Sequence, residues 1–203
     1  MENFMDHFHQ WGAVIFFVFI YGIALAFLPF RQKMQRKPAA TYFAFVLAFA
    51  FEMHGIPYSM YLIGSIIGRY LPVGILWGHT LYDYIGYLGL YLNIAFAILG
   101  LIMIIFGWQA IYHGYWKHVK GTGHIVSSGI YKYIRHPQYA GLIMIAFGML
   151  LGWATIPTLI LFPLIVYMYV RLAKKEENDM INEFGEEYRA YMKKTKRFIP
   201  LIY

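Results

Sequence analysis

The chain is predicted to be an all-helical integral membrane protein of about five spans. Three features predict this. First, 60% of its 203 residues are hydrophobic and only 13% are charged, with a mean hydropathy of +0.51. A soluble domain of this size would have to expose large apolar patches to carry such a composition. Second, the apolar residues gather into runs of helix length. Third, five spans put every basic residue except Arg69 on one side of the bilayer.

Residues 12–30 contain no charge and form the first span. As a helix they would cover about 28 Å, close to the thickness of a bilayer core. The second span is predicted from Thr41 to Ile63, with Gly55 and Pro57 as kink positions. The third runs from Tyr87 to Ile111 and the last two over 139–152 and 155–171. Only Gly152-Trp153-Ala154 join these last two, so they form an antiparallel helical hairpin. Residues 139–152 are short for a full crossing. Beyond them, Ile181, Phe184, Tyr188 and Tyr191 recur at three-four spacing, which predicts an amphipathic C-terminal helix. Gly185 is expected to divide that tail. The whole chain, 1–203, reads as a single transmembrane domain, with three spans in 1–111 and the polar motifs in 112–203.

The charge pattern gives the orientation. Arg31, Lys33, Arg36 and Lys37 follow the first span, and Lys117, Lys120, Lys132 and Arg135 follow the third. Eight more lie from Arg171 onward. Positive residues favour the cytoplasm, so the N-terminus is expected outside and the C-terminus inside. The net charge of +7 then reflects anionic lipid at the inner leaflet rather than nucleic acid. With no cysteine there is no disulfide, thiolate nucleophile or Cys-ligated metal. The acidic start, Met1 to His7, does not resemble a signal peptide, and no internal repeat is evident.

Chemistry-bearing residues concentrate between 124 and 200. Arg135-His136-Pro137-Gln138-Tyr139 stands where a loop enters the fourth span, and Pro137 suits the first turn of that helix. Arg135 could equally snorkel to lipid phosphate, and Tyr139 could be an interface aromatic. Glu176 and Glu177 lie one to two turns past the fifth span, about 100° apart on a helix. Beside Lys174 and Lys175 they also read as a solvated, ion-paired face. Ser128-Gly129 reads as a cap for a short helix, and Arg171 as a positive-inside anchor. Glu52 and His54 are ionisable groups within the second span and so are functional suspects. Trp108, Gln109, His113, Tyr115, Trp116 and His118 form an aromatic belt. His113, His118 and His124 are too scattered for a zinc site, and no metal is expected. Gly121-Thr122-Gly123 follows no strand and reads as a turn, so a Rossmann-type nucleotide site is not indicated.

Taken in order, Ser128-Gly129-Ile130-Tyr131, Arg135-His136-Pro137-Gln138-Tyr139, Glu176-Glu177, Phe184-Gly185-Glu186-Glu187-Tyr188 and Pro200 resemble the signature of the isoprenylcysteine carboxyl methyltransferase and phospholipid methyltransferase families. The resemblance implies a membrane methyltransferase using S-adenosylmethionine. It implies a cofactor-wrapping loop at His124, Ile125 and Val126, with Tyr131 close behind. Cofactor contacts are implied for Arg135, His136, Pro137, Gln138 and Tyr139, and for Glu176 with Glu177 second. Arg171, read equally as an anchor, is the catalytic candidate, a cation that could orient an acidic acceptor; a lipophilic acid, thiol or amine would fit as acceptor. Two other classes remain: an NADPH-dependent membrane reductase of the sterol-reductase type, and a non-catalytic scaffold or small transporter.

Overall fold

The computed structural model describes residues 10–26, 33–54, 87–113, 125–152 and 155–199. Six α-helices occupy them: α1 (Trp11–Ala26), α2 (Lys33–His54), α3 (Leu88–Ile111), α4 (Pro137–Gly152), α5 (Ile156–Phe184) and α6 (Glu186–Lys194). A 3-10 turn, Gly129–Lys132, precedes α4. Among the described residues there is no strand; an isolated parallel bridge pairs Ile134 with Lys196.

Two compact units are present, residues 1–95 with 146–168, and residues 96–145 with 169–203. In the first, α1 and α2 pack together. Trp11 meets Phe51 edge-on at 5.8 Å, and a Cβ on Gly22 would lie 3.7 Å from Phe43. Those two contacts make the pair antiparallel. Tyr42, Phe45, Val46, Phe49 and Ala50 are the buried face of α2. Where α5 begins, Thr155 and Thr158 cap each other reciprocally. The Thr155 N–H donates to Thr158 Oγ1 at 2.9 Å, and the Thr158 N–H donates to Thr155 Oγ1 at 3.4 Å. This satisfies donors that a helix start otherwise leaves unpaired, and both threonines are buried. A Cβ on Gly152 would lie 2.8 Å from Asn93 Nδ2, so the end of α4 touches the side chain of Asn93.

The second unit rests on two backbones in contact. A Cβ on Gly100 would stand 2.5 Å from the Gly141 carbonyl oxygen, and one on Gly141 would stand 2.5 Å from that of Gly100. Seven residues, or two turns, further along α3, a Cβ on Gly107 would meet Pro137 Cγ at 3.0 Å. Glycines on one helix face allow this approach, as in membrane helix pairs generally. Beside them Ile134, Ala140, Ala173 and Phe198 form a core, with Met103, Ile130, Tyr139 and Val170 packed on it.

α3 and the stretch Pro157–Phe184 of α5 are long and apolar enough to cross a membrane. The stretches Pro38–Phe51 and Pro137–Gly152 are shorter apolar helices. On α3, Leu88, Tyr91, Ile94, Ile98, Leu101, Ile105 and Phe106 are exposed, as in a helix whose surroundings are apolar.

Most predicted helices recur with shifted ends. The first is described over Trp11–Ala26, and residues 27–30 lie outside the described residues. The second begins at Lys33, upstream of Thr41, because Lys33 to Lys37 are good helix formers and the helix accommodates Pro38. Gly55, Pro57 and Trp153-Ala154 lie outside the described residues. The largest difference is at the fifth span. The helix does not stop near Arg171 but continues to Phe184 and carries Glu176 and Glu177 with it. Hydropathy falls at Arg171, but helical hydrogen bonding continues. Gly185 does divide the tail: at φ 56° it ends α5 and opens α6. α6 has Glu186 and Glu187 in its first turn and Lys193 and Lys194 in its last, which complements the helix dipole. Tyr188 is its buried residue.

Candidate functional site

The start of α4, the middle of α5 and the segment after α6 meet within the second unit. Pro137 opens α4, as its missing N–H allows. The loop before it is held by a short parallel pairing with residues 196–197. The Lys196 N–H donates to the Tyr133 carbonyl at 3.1 Å, the Arg135 N–H to that of Lys196 at 2.8 Å, and the His136 N–H to that of Arg197 at 3.1 Å. Arg135 and His136 are thereby fixed at the head of α4.

Glu177 reaches them from α5. Its side chain is 3% exposed. Oε1 accepts from Arg135 Nε at 2.8 Å and from Arg197 Nε at 3.1 Å. Oε2 accepts from Arg197 Nε at 3.1 Å and from Arg197 Nη2 at 2.6 Å. Burial pushes this carboxyl up, but close contact with His136, Arg197 and Arg135 outweighs it. The net effect holds Glu177 well below the usual carboxylate range. Arg135 Nη1 also donates to the carbonyls of Thr195 and Met192.

Glu176 is placed differently. Its side chain is 22% exposed, and Oε1 accepts the Tyr139 hydroxyl proton at 2.7 Å. His136 lies between the two carboxylates, with Nδ1 3.7 Å from Glu176 Oε2 and Nε2 3.3 Å from Glu177 Oε1. The imidazole stacks on the Tyr139 ring at 5.5 Å and 6° and tilts against Phe198 at 6.0 Å. Tyr139 in turn meets Tyr169 at 5.1 Å. Tyr131 closes the group: the Tyr191 hydroxyl donates to its carbonyl at 2.7 Å. Burial, then the neighbouring Tyr191 and Glu176, push the Tyr131 phenol up, so it remains a neutral donor.

Seven of the residues singled out in sequence are therefore brought together: Tyr131, Arg135, His136, Pro137, Tyr139, Glu176 and Glu177. Gln138 sits against α3, its Cγ 3.1 Å from where a Gly107 Cβ would be. Ile125 and Val126 are half-buried in an irregular stretch ahead of the 3-10 turn. His124, like His118 and Gly121-Thr122-Gly123, lies outside the described residues. Ser128 makes no side-chain capping bond; its carbonyl accepts from the Tyr131 N–H at 3.1 Å. Arg171 is not brought into the cluster. It is exposed on α5, five residues and so about 140° around the helix from Glu176. α2 includes Glu52 and His54, but their side chains lie outside the described residues. Trp108 and Tyr112 stack at 5.6 Å and are exposed, as an interface belt would be. No cluster of three metal-binding side chains occurs among the described residues.

Sequence reasoning missed Arg197 and Thr195. Arg197 was visible in Arg197-Phe198-Ile199-Pro200, but only as one more inner-leaflet charge.

Comparison with known proteins now bears on this cluster. Residues 90–182 match the profile of the isoprenylcysteine carboxyl methyltransferase family. Over that stretch the chain is similar to this family. A protein-S-isoprenylcysteine O-methyltransferase of Schizosaccharomyces pombe is 38% identical over 81 residues, 38% of this chain and 34% of the relative. That of Homo sapiens is 27% identical over 118 residues, 52% of this chain and 42% of the relative. Methanethiol S-methyltransferase 1 of Bradyrhizobium diazoefficiens is 39% identical over 77 residues, 35% of this chain and 24% of the relative. The chain thus spans less than half the length of these three relatives. No solved structure matches. The family match and the two long apolar helices together support a membrane protein.

Proposed function

We propose that this chain is a membrane-embedded, S-adenosylmethionine-dependent methyltransferase acting on a lipophilic acceptor. The observation that carries the reading is the part-exposed Glu176 carboxylate beside the stacked His136 and Tyr139 rings at the head of α4. A ribose diol or an ammonium group calls for a carboxylate, and a sulfonium tolerates aromatic faces. The donor set therefore fits the group. Glu176, His136, Tyr139 and Tyr131 would hold it, with Gln138 and the 124–126 loop at the margin. S-adenosylmethionine would supply a methyl carried on a sulfonium cation. The residues' own work is orientation and the exclusion of water; no protein nucleophile is called for, and the absence of cysteine is no objection.

The acceptor would approach along the bilayer. An isoprenylcysteine-like carboxylate is favoured by the O-methyltransferase relatives, and a thiol by the methanethiol S-methyltransferase. Arg171, exposed on α5 and outside the cluster, is our candidate to meet an acidic head group before it reaches Glu176. We take the membrane to be crossed five times, with the C-terminus cytoplasmic. The relatives do not favour the reductase or scaffold readings.

The test is methyl transfer from labelled S-adenosylmethionine to a panel of lipophilic acids, thiols and amines. The expected result is turnover of at least one class. Arg171→Ala should impair transfer to acids strongly and to neutral thiols little, with cofactor affinity within about threefold. Loss of cofactor binding in that variant would put Arg171 in the cofactor site instead.

A further inference from the structure

We propose that Glu177 and Arg197 are positioning residues, which hold the 195–199 segment as a wall of the cofactor site, and that Glu177 does not itself touch the cofactor. This deepens the methyltransferase reading and rests on it.

The adjacent glutamates of α5 differ. Glu177 accepts from Arg135 Nε and from Arg197 Nε and Nη2, the Arg197 Nε–H being shared between its two oxygens, and His136 Nε2 stands 3.3 Å from Oε1. An ionised carboxylate has about four acceptor positions, so this one is saturated. At 3% side-chain exposure it is also closed to solvent. A diol or ammonium could reach it only by displacing a buried arginine. Glu176, on the next position of the helix, is 22% exposed and faces Tyr139.

What Glu177 holds is the chain beyond α6. Arg197 is the residue whose carbonyl accepts the His136 N–H at 3.1 Å. The same residue therefore anchors to α5 through its side chain and fixes the head of α4 through its backbone. Arg135 reinforces this by donating to the carbonyls of Met192 and Thr195 as well as to Glu177. Phe198, one residue on, packs against the His136 ring. Without the Glu177–Arg197 pair, α5 loses its grip on residues 195–199, and His136 loses both its backbone partner and the ring behind it.

The experiment is a double-mutant cycle on the purified full-length protein in phosphatidylcholine nanodiscs, read by calorimetric titration with S-adenosylhomocysteine. Glu177→Gln and Arg197→Met should each weaken binding about tenfold, and the double variant by little more than either alone. At saturating S-adenosylmethionine, kcat should stay within about twofold of wild type, because neither side chain meets the reacting atoms. Multiplicative losses in the double variant would mean that Glu177 contacts the cofactor independently of Arg197, and would overturn the proposal. So would unchanged binding in Arg197→Met. If the wild-type protein fails to bind S-adenosylhomocysteine, the methyltransferase reading falls and this one with it. If binding is normal and the cycle is multiplicative, only the positioning role falls. Hydrogen exchange of the wild-type protein gives an arm that needs no variant. The amides of Arg135, His136 and Lys196 should be protected, and more so with S-adenosylhomocysteine; protection unchanged by it would contradict the proposal.

Discussion

At the scale of residues, two neighbouring carboxylates on one helix stand in different surroundings, Glu177 buried between arginines and Glu176 part-exposed beside Tyr139. Glu176→Gln is expected to weaken S-adenosylhomocysteine binding by about 1.5–3 kcal/mol, the size of a hydrogen bond to a charged group. Glu183→Gln, exposed on the same helix, should leave it unchanged. Glu177 carries a pH signature of its own. Its carboxyl is held below the usual range in the folded state. Its stabilising contribution is therefore complete above the unfolded carboxylate value of about 4.3 and is lost as pH falls through the lower folded value. The melting temperatures of wild type and Glu177→Gln should differ most near neutral pH and converge in acid. A gap that widened below about pH 4 would contradict the ion-pair assignment. Glu176 was legible as a candidate carboxylate because the family pattern points to it. The saturation of Glu177 was not legible, since its partners lie 42 and 20 residues away in sequence.

At the scale of elements, the α3–α4 contact and the Gly185 break are the exacting points. Gly100 and Gly141 leave no room for a Cβ, since each would stand 2.5 Å from a carbonyl oxygen of the other helix. Gly141→Ala should destabilise the protein by about 1–3 kcal/mol, the usual range for overpacking. The measurement is thermal unfolding in detergent, and an unchanged midpoint would show that the two backbones can separate freely. Gly185 has space around it, but its φ is 56°. Gly185→Ala should therefore cost about 1–3 kcal/mol, from backbone strain alone, because φ 56° with ψ −125° is a conformation that suits glycine. The helices themselves were legible, because their apolar runs and the Pro137 start signal are local features. The length of α5 was not. Lys174, Lys175, Glu176 and Glu177 end the apolar run without ending the helix. Arg197 was likewise hidden, because a charge after a span reads the same whether it meets lipid or a buried glutamate.

At the scale of the whole molecule, a polar cluster drawn from 131–139, 176–177 and 195–198 accompanies long apolar helices. The sidedness of the basic residues predicts that a reporter fused after Tyr203 is cytoplasmic and one at the N-terminus is not. Reporters on the same side would contradict five spans. The central claim is that the cluster binds S-adenosylmethionine through Glu176. Calorimetric titration of the purified protein with S-adenosylhomocysteine, and separately with NADPH, tests it most directly. The account predicts saturable binding of the first, weakened in Glu176→Gln, and no binding of the second; NADPH binding without S-adenosylhomocysteine binding would contradict it.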